Sequence, residues 1–285
     1  VKVVSQPDEM KNLSRTLQRS GASIGLVPTM GALHDGHLSL LKRAQKLCDT
    51  SVISIFVNPA QFGPGEDLAQ YPRPFEKDCE LAEKNGCDIV FAPQPADMYP
   101  SSYQTLVEVE ALGGKLCGRS RPTHFRGVAT VVLKLFNIVM PQAAVFGQKD
   151  AQQAIILKRM VRDLNLSVRM EIAPTVRESD GLAMSSRNAY LTERERFEVP
   201  HIYQGLQYAG ELYDKGEHNV ARLRTAVMDL YNAAQTFTVE YFEMVDTERL
   251  EPVEAIDATT LIAGAFCTES SHTRLIDNII VGGAI

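Results

Sequence analysis

The strongest constraint on this chain is the alternation, over its first 175 residues, of short β-rich apolar runs with stretches of helical periodicity. Strand-like runs fall at residues 23–27, 50–57, 88–91, 143–146 and 168–173, and one more is expected at 105–109. Helices are expected at 6–18, 74–85, 127–139 and 151–164, and after Gly36, where Leu40, Leu41, Ala44 and Leu47 keep helical spacing. The run Ser51-Val52-Ile53-Ser54-Ile55-Phe56-Val57 is nearly continuous and suits a strand covered on both faces. Such alternation builds an α/β structure around a parallel sheet, and ligands of these sheets bind beyond the carboxyl ends of the strands. The polar stretches 34–37, 58–61 and 147–150 each follow a strand, so they are expected to gather at one edge of the sheet.

Beyond Thr192 the pattern changes to helices at 201–213 and 220–233, followed by strands at 238–245, 260–267 and 274–281. This order predicts a smaller α+β domain. The boundary is expected near 175, giving domains 1–175 and 176–285, with an aperiodic, polar and mobile loop at 178–188.

Lysine and arginine total 29 against 35 acids, a formal net charge of -6, which argues against a nucleic-acid binder. No apolar run approaches the ~18 residues of a membrane span, and Val1-Lys2-Val3-Val4-Ser5 lacks the apolar core of a signal peptide. The 5 cysteines are an odd number without a CxxC pair, which fits reduced thiols in a cytoplasmic protein. Cys48 and Cys87 are expected to be buried small hydrophobes.

Four stretches carry possible chemistry. In Met30-Gly31-Ala32-Leu33-His34-Asp35-Gly36-His37, small residues let a ligand approach the backbone, and a helix is expected to open just after the two histidines. Helix N-termini favour phosphate, so histidines and backbone amides holding a nucleotide phosphate is the leading reading. A polar helix start and a metal site, with Asp35 as a third ligand, remain alternatives. Gly147-Gln148-Lys149-Asp150 places a lysine where it can meet phosphate oxygens and an acid that can accept from ribose hydroxyls, or simply an acid at a helix start. Met184-Ser185-Ser186-Arg187-Asn188 offers two hydroxyls and a guanidinium, suited either to a triphosphate or to a solvated linker. The basic cluster Arg119, Arg121, His124 and Arg126 is a solvated surface or an anion clamp. Amides at Asn58, Gln61 and Gln153 can orient a hydroxy-acid without adding negative charge, although either glutamine taken alone reads as a loop or helix-surface residue.

Taken together these stretches resemble the pantothenate synthetase (pantoate–β-alanine ligase) family. The resemblance rests on Pro28 to His37, Phe56-Val57-Asn58-Pro59-x-Gln61-Phe62, Tyr71-Pro72-Arg73, Arg121-Pro122-x-His124-Phe125, Phe146-Gly147-x-Lys149-Asp150-x-Gln152-Gln153 and Asp180 to Asn188. Their order covers about residues 20 to 192. The first is similar to the HIGH signature of nucleotidyltransferases, and Met184 to Arg187 occupies the place of their KMSKS loop.

The resemblance implies a Rossmann-like domain at 1–175 that binds ATP and pantoate, and a small α+β lid domain at 176–285. It implies a reaction in which pantoate attacks the α-phosphate of Mg-ATP, and β-alanine then attacks the pantoyl adenylate to give pantothenate, AMP and pyrophosphate. By motif position, Met30, Gly31, Ala32, Leu33, His34, Asp35, Gly36, His37, Gly147, Gln148, Lys149, Asp150, Val176, Met184, Ser185, Ser186 and Arg187 would border ATP. Of these, His34, His37, Lys149, Ser185, Ser186 and Arg187 would be catalytic. Gln61, Gln153, Asn58, Arg121 and His124 would meet pantoate or β-alanine, and Asp78 would lie on the magnesium side. A homodimer is also implied. Three positions depart from the family pattern: Ala60 for methionine, Thr123 for glycine and Gln148 for glutamate. A cytidylyltransferase and a regulatory nucleotide-binding module are the rival readings.

Overall fold

The computed structural model describes residues 1–283 and divides into two compact units. The first contains Val1–Gly114, Gly118–Gly147 and Ile156–Ala173; the second contains Lys115–Cys117, Gln148–Ile155 and the chain from Pro174 onward.

The first unit is a Rossmann-like sheet of six parallel strands: β1 (Lys2–Val4), β2 (Ile24–Thr29), β3 (Thr50–Ile55), β4 (Ile89–Phe91), β5 (Ala143–Gly147) and β6 (Arg169–Ala173). Their order across the sheet is β1-β4-β3-β2-β5-β6. The chain moves outward from β2 through β3 to β4, then returns to add β5 on the other side of β2. The sheet therefore has a switch point between β2 and β5, where doubly wound folds open a crevice for a ligand.

Both faces are apolar because side chains alternate along each strand. Ile24, Leu26, Val52, Phe91, Ala144 and Phe146 share one core with Met10 and with Val128, Val132 and Leu135 of the helix His124–Val139. Val27, Ile53, Val90 and Val145 join the other core with Leu40, Leu41 and Ala44 of the helix Asp35–Leu47. Each such aliphatic side chain contributes about 1.5–3 kcal/mol relative to exposure.

Two sequence expectations need correction here. No strand forms at 105–109; Val107 and Val109 pack against the first core, and the Val107 amide donates to Thr130 Oγ1 at 2.9 Å instead of to a neighbouring strand. Of its five residues only the two valines are half-buried, and the others are exposed. Cys87 is buried, but Cys48 is only half-buried. The structure also adds the edge strand β1, which at 3 residues is too short to carry a readable period.

In the second unit, β7 (Phe237–Val245), β8 (Leu261–Thr268) and β9 (Arg274–Ile280) form an antiparallel sheet in that order. Leu206 and Ala209 of the helix His201–Asp214 share a core with Leu223, Val227 and Tyr231 of the helix Val220–Asn232 and with Phe237, Phe242 and Phe266 of the sheet. Tyr231 meets those three phenyl rings edge-on at centroid distances of 6.3, 5.5 and 5.0 Å, and its hydroxyl donates to Ile202 O at 2.8 Å. The ring thereby gains aromatic contacts while its polar atom stays satisfied.

Glu195 ties this unit together. It is the third residue of the helix Glu193–Glu198 and closes a capping box with Thr192. One carboxylate oxygen accepts Thr192 N and Oγ1, and the other accepts the amides of Ser270 and Ser271 between β8 and β9. Burial pushes this carboxyl up, but the hydrogen bonds outweigh burial and hold it at about 2, against an ordinary 4.5. A depressed carboxyl stabilises the fold above its unfolded pKa, and that stability is lost as pH falls toward the folded value. Glu195→Gln is therefore expected to cost on the order of 3 kcal/mol at pH 7. The gap between the two proteins, read from urea midpoints, should shrink as pH drops from 4.5 toward 2.

Candidate active site

In the first unit the site begins where β2 ends. Gly31 and Ala32 both adopt left-handed backbone, with φ of 84° and 50°. A Cβ on Gly31 would also stand 2.9 Å from Asp78 Oδ2, so glycine is needed there on two counts. Asp78, from the helix Phe75–Lys84, accepts the amides of Ala32 at 2.8 Å and Leu33 at 2.7 Å through its two oxygens. It is 1% exposed, and burial pushes its carboxyl above the ordinary range. Both oxygens thus grip the backbone turn. Among the described residues no group of three or more histidines, cysteines and acids could hold a metal ion.

The helix opens between the histidines rather than after them. His34 is the N-cap and His37 the third helical residue. His34 Nδ1 accepts the Gly36 amide at 3.2 Å, and His37 Nδ1 accepts the His34 amide at 3.4 Å, which forms a capping box made of two imidazoles. Their rings lie 4.0 Å apart, centroid to centroid. Acceptance at Nδ1 fixes the neutral tautomer with the proton on Nε2, so each ring carries an Nε2–H donor. The amide of Gly31 donates to Thr29 Oγ1. The amides of Gly31, Ala32, Leu33, His34 and Gly36 are therefore engaged by side chains of this unit. These five amides are thus held within the turn, and the two imidazoles are its titratable groups besides Asp35. Leu33 is a core residue, and Asp35 is exposed.

A second cluster follows β3. Asn58 caps the short 3-10 turn Pro59–Gln61 and is 1% exposed. Its Nδ2 donates to Gln61 Oε1 at 3.0 Å and Gly127 O at 3.1 Å, while Oδ1 accepts Tyr99 OH at 2.8 Å and the Ala60 amide at 3.3 Å. Gln61 Nε2 donates to Met30 Sδ at 3.3 Å, which links this cluster to the turn after β2. Arg121 donates to Glu66 through Nε at 2.8 Å and Nη2 at 2.5 Å, and its Nη2 also reaches Gln61 O at 3.3 Å. His124 Nδ1–H donates to that same carbonyl at 2.9 Å, and its Nε2 accepts Arg121 Nη1 at 3.2 Å. Asn58, Gln61, Arg121 and His124 are thus one network. Burial raises the Glu66 carboxyl, but the Arg121 guanidinium outweighs it and holds the acid below its ordinary value.

The second unit carries the other candidates. Lys149 is half-buried in the short 3-10 turn Gln148–Asp150, and the carbonyls of Gln148 and Lys149 both accept Asn278 Nδ2, at 3.0 and 2.9 Å. Asp150 and Gln153 are half-buried nearby in the chain. Val176 O accepts the Met184 amide at 3.0 Å, which pins the two ends of a small hairpin. Inside it Arg177 bridges to Ala183, and Leu182 and Ala183 are buried. The loop at 178–188 is aperiodic, as its composition requires, yet hydrogen-bonded throughout. Arg196 holds Glu178 at 2.6 Å and Asp180 at 2.5 Å, and Asn188 Nδ2 donates to Glu178 Oε1 and Ala183 O. Ser185 then caps the turn Ser186–Tyr190, its Oγ accepting the Arg187 amide at 3.3 Å.

Sequence reasoning missed Glu66, Tyr99, Gly127, Arg177, Asp277 and Asn278. One signal pointed to the last two: Asp277-Asn278 interrupts the apolar run Leu275 to Ile280, and adjacent strand residues face opposite sides. At least one had to be buried. Both are, at 4% and 3% exposed.

A family model for pantoate–β-alanine ligase matches residues 2–280. Pantothenate synthetase of Caldicellulosiruptor saccharolyticus is 50% identical over 279 residues, covering 98% of this chain and 99% of that protein. Among solved structures, pantothenate synthetase of Thermus thermophilus superposes with a TM-score of 0.93 at 42% identity, covering 99% of this chain and 100% of that one. Pantoate–β-alanine ligase of Francisella tularensis, solved as a complex with β-γ ATP and β-alanine, superposes at 0.80 with 30% identity, covering 100% of this chain and 99% of that one.

Gly127 tests the amide network directly. A Cβ there would sit 2.2 Å from Ala60 O and 2.6 Å from Gln61 N, so the helix His124–Val139 can press on the 3-10 turn only as glycine. Gly127→Ala should cost about 1–3 kcal/mol by chemical denaturation. Gly113→Ala, whose nearest neighbour is 3.9 Å away, should stay within about 0.5 kcal/mol.

Proposed function

The chain belongs to the pantoate–β-alanine ligase family, and on that premise we propose how its residues divide the work. Its reaction joins pantoate and β-alanine to pantothenate at the expense of ATP. In our reading a pantoate carboxylate oxygen attacks the α-phosphorus of Mg-ATP and pyrophosphate leaves. The β-alanine amine then attacks the acyl carbon of pantoyl adenylate, the acyl C–O bond breaks, and AMP departs with that oxygen. Magnesium enters with the nucleotide as part of the substrate, a small ion that keeps most of its ligands from phosphate and water.

The observation that carries the reading is the imidazole capping box. Two rings whose Nδ1 atoms are taken by backbone amides have Nε2–H as their donor, which is suited to phosphate oxygens. His34 and His37 thus steady the triphosphate, and His37 donates to charge building on it. Lys149 and Arg187, with Ser185 and Ser186, offset charge as pyrophosphate leaves. Met30 to Gly36, Gly147, Gln148, Asp150, Val176 and Met184 border the nucleotide. Gln61, Asn58 and Gln153 orient pantoate, and Gln61 also meets β-alanine. Arg121 and His124 serve this by holding the Gln61 carbonyl from behind. Residues 1–175 carry the ATP and pantoate functions and 176–285 supply a lid.

The protein is further proposed to be a homodimer working in the cytoplasm. Five free cysteines fit a reducing compartment, and no helix among the described residues is long and apolar enough to cross a membrane.

Pantoate labelled with 18O in its carboxylate tests the chemistry. One labelled oxygen should appear in AMP, and ATP–pyrophosphate exchange should require pantoate but not β-alanine. ADP formation, or unlabelled AMP, would overturn the adenylate route. His37→Ala and Lys149→Ala should each slow adenylation about 100-fold or more in single turnover. Lys149→Ala should keep the parent melting temperature, and His37→Ala should stay folded while losing about 0.5–2 kcal/mol with its half of the capping box. A rate within a few-fold of the parent in either variant would remove that residue from the scheme.

A further inference from the structure

The adjacent pair Asp277-Asn278 on β9 has no place in the scheme above, although it touches both charge-bearing segments of the second unit. Asn278 Nδ2 donates to Gln148 O at 3.0 Å and Lys149 O at 2.9 Å. Two carbonyls on one nitrogen fix the amide orientation, because a flipped oxygen would face both acceptors. Asp277 grips Arg177 with both oxygens, at 2.6 and 2.9 Å, and Oδ1 also accepts the Asn278 amide at 2.8 Å. Arg177 Nη1 in turn donates to Gly181 O at 3.1 Å, and its guanidinium stacks 3.5 Å from the centre of the Tyr203 ring. Gly181 belongs to the hairpin whose far end is Met184, immediately before Ser185-Ser186-Arg187.

We propose that Asp277-Asn278 is a positioning device: through one strand it sets the Lys149 turn, by Asn278, and the loop leading to Arg187, by the Asp277–Arg177 pair, in a fixed mutual register. Neither residue touches substrate in this account; each acts through backbone it holds. The inference rests on the assignment of Lys149 and Arg187 to phosphate charge. Its physical basis is that electrostatic catalysis depends on groups already placed where charge develops, and misplacement by about 1 Å costs about 100-fold.

A purely structural role for Asn278 accounts poorly for its cost. The residue is 3% exposed, and its Oδ1 is buried with no hydrogen-bond partner among the described residues. An unsatisfied buried acceptor is unfavourable, whereas an apolar side chain of similar size in a strand core is not. The gain that offsets it is the double donation from Nδ2, a contact no aliphatic residue can supply.

Asn278→Asp is nearly isosteric but turns an oxygen toward both carbonyls. We expect it to lower kcat for pantoate-dependent ATP–pyrophosphate exchange by about 10- to 100-fold, with ATP and pantoate KM changed less than about three-fold. Asn278→Ala, which removes the donor without repulsion and relieves the orphaned oxygen, should lower kcat by about 10-fold. It should stay folded at the assay temperature, with a modest loss of stability from the two carbonyls left without that donor. The deciding measurement is each substitution repeated in Lys149→Ala. A positioning residue loses its effect there, falling below about three-fold. The same factor in both backgrounds, or a parent-like kcat for Asn278→Ala, overturns the inference. A parent-like rate for Lys149→Ala alone would instead overturn the role of the lysine, so the two failures are distinct.

Discussion

The carboxylate of Asp78 is the contact on which the turn after β2 depends. A turn with two successive residues at positive φ leaves its amides pointing inward, and buried amides need acceptors. Only a carboxylate offers two equivalent oxygens to adjacent N–H groups from a single side chain. Burial works against it, as the raised carboxyl shows, and the 2.7 and 2.8 Å hydrogen bonds work in its favour. With the turn gripped, β2 is delivered into the helix Asp35–Leu47 at an angle that makes His34 its cap. The imidazoles then do for the helix what serine or aspartate does elsewhere, and their tautomers follow from that duty.

The network around Gln61 follows the same logic at one remove. Glycine at 127 lets helix and 3-10 turn meet backbone to backbone. Asn58 satisfies both sides of that contact, and Arg121 and His124 hold the Gln61 carbonyl. Glu66 keeps the Arg121 guanidinium oriented and neutralises much of its charge. A side-chain amide supported on this many sides presents one face reproducibly, as the proposed orientation of pantoate by Gln61 would require.

How much of this was legible in the sequence depended on the range of the interaction. Parallel strands buried on both faces write long apolar runs, so the sheet, its helices and the α+β order after Thr192 could be read directly. The position of the short polar stretches after β2 and β3 was legible for a similar reason, since each follows the end of a readable strand. The partners of those stretches were not. Asp78 reads as an ordinary acid in the first turn of a helix, 45 residues from the Leu33 amide it accepts. Glu66 reads as part of a loop, and 55 residues separate it from Arg121. The run at 105–109 misled because β-branched residues are favoured by a half-buried surface as much as by a ladder. The 178–188 loop was read as aperiodic, and the hydrogen bonds that Arg196 and Asn188 make with it leave no periodicity from which they could have been foreseen.

Each unit therefore meets the same physical problem, the placing of polar groups at a chain reversal, with buried carboxylates: Asp78 in the first, and Asp277 together with Glu195 in the second. Burial drives the Asp78 and Asp277 carboxyls upward. The compensation differs, and the difference follows from what each carboxylate must fix. Asp78 faces backbone amides, which are dipoles, so it fixes the conformation of one turn. Asp277 faces Arg177, a full charge that reaches onward to Gly181 O and the Tyr203 ring, so it fixes a side chain that spans several elements. Removing the carboxylate in the first case exposes two amides in a strained turn. Removing it in the second leaves a guanidinium only 16% exposed without its counter-ion, the more expensive loss in a medium of low dielectric. A turn can relax toward ordinary backbone angles when its acceptor goes, whereas a buried cation cannot shed its charge. The hairpin at 176–184 is thus bound, through Arg177, to a residue 100 positions away in the chain.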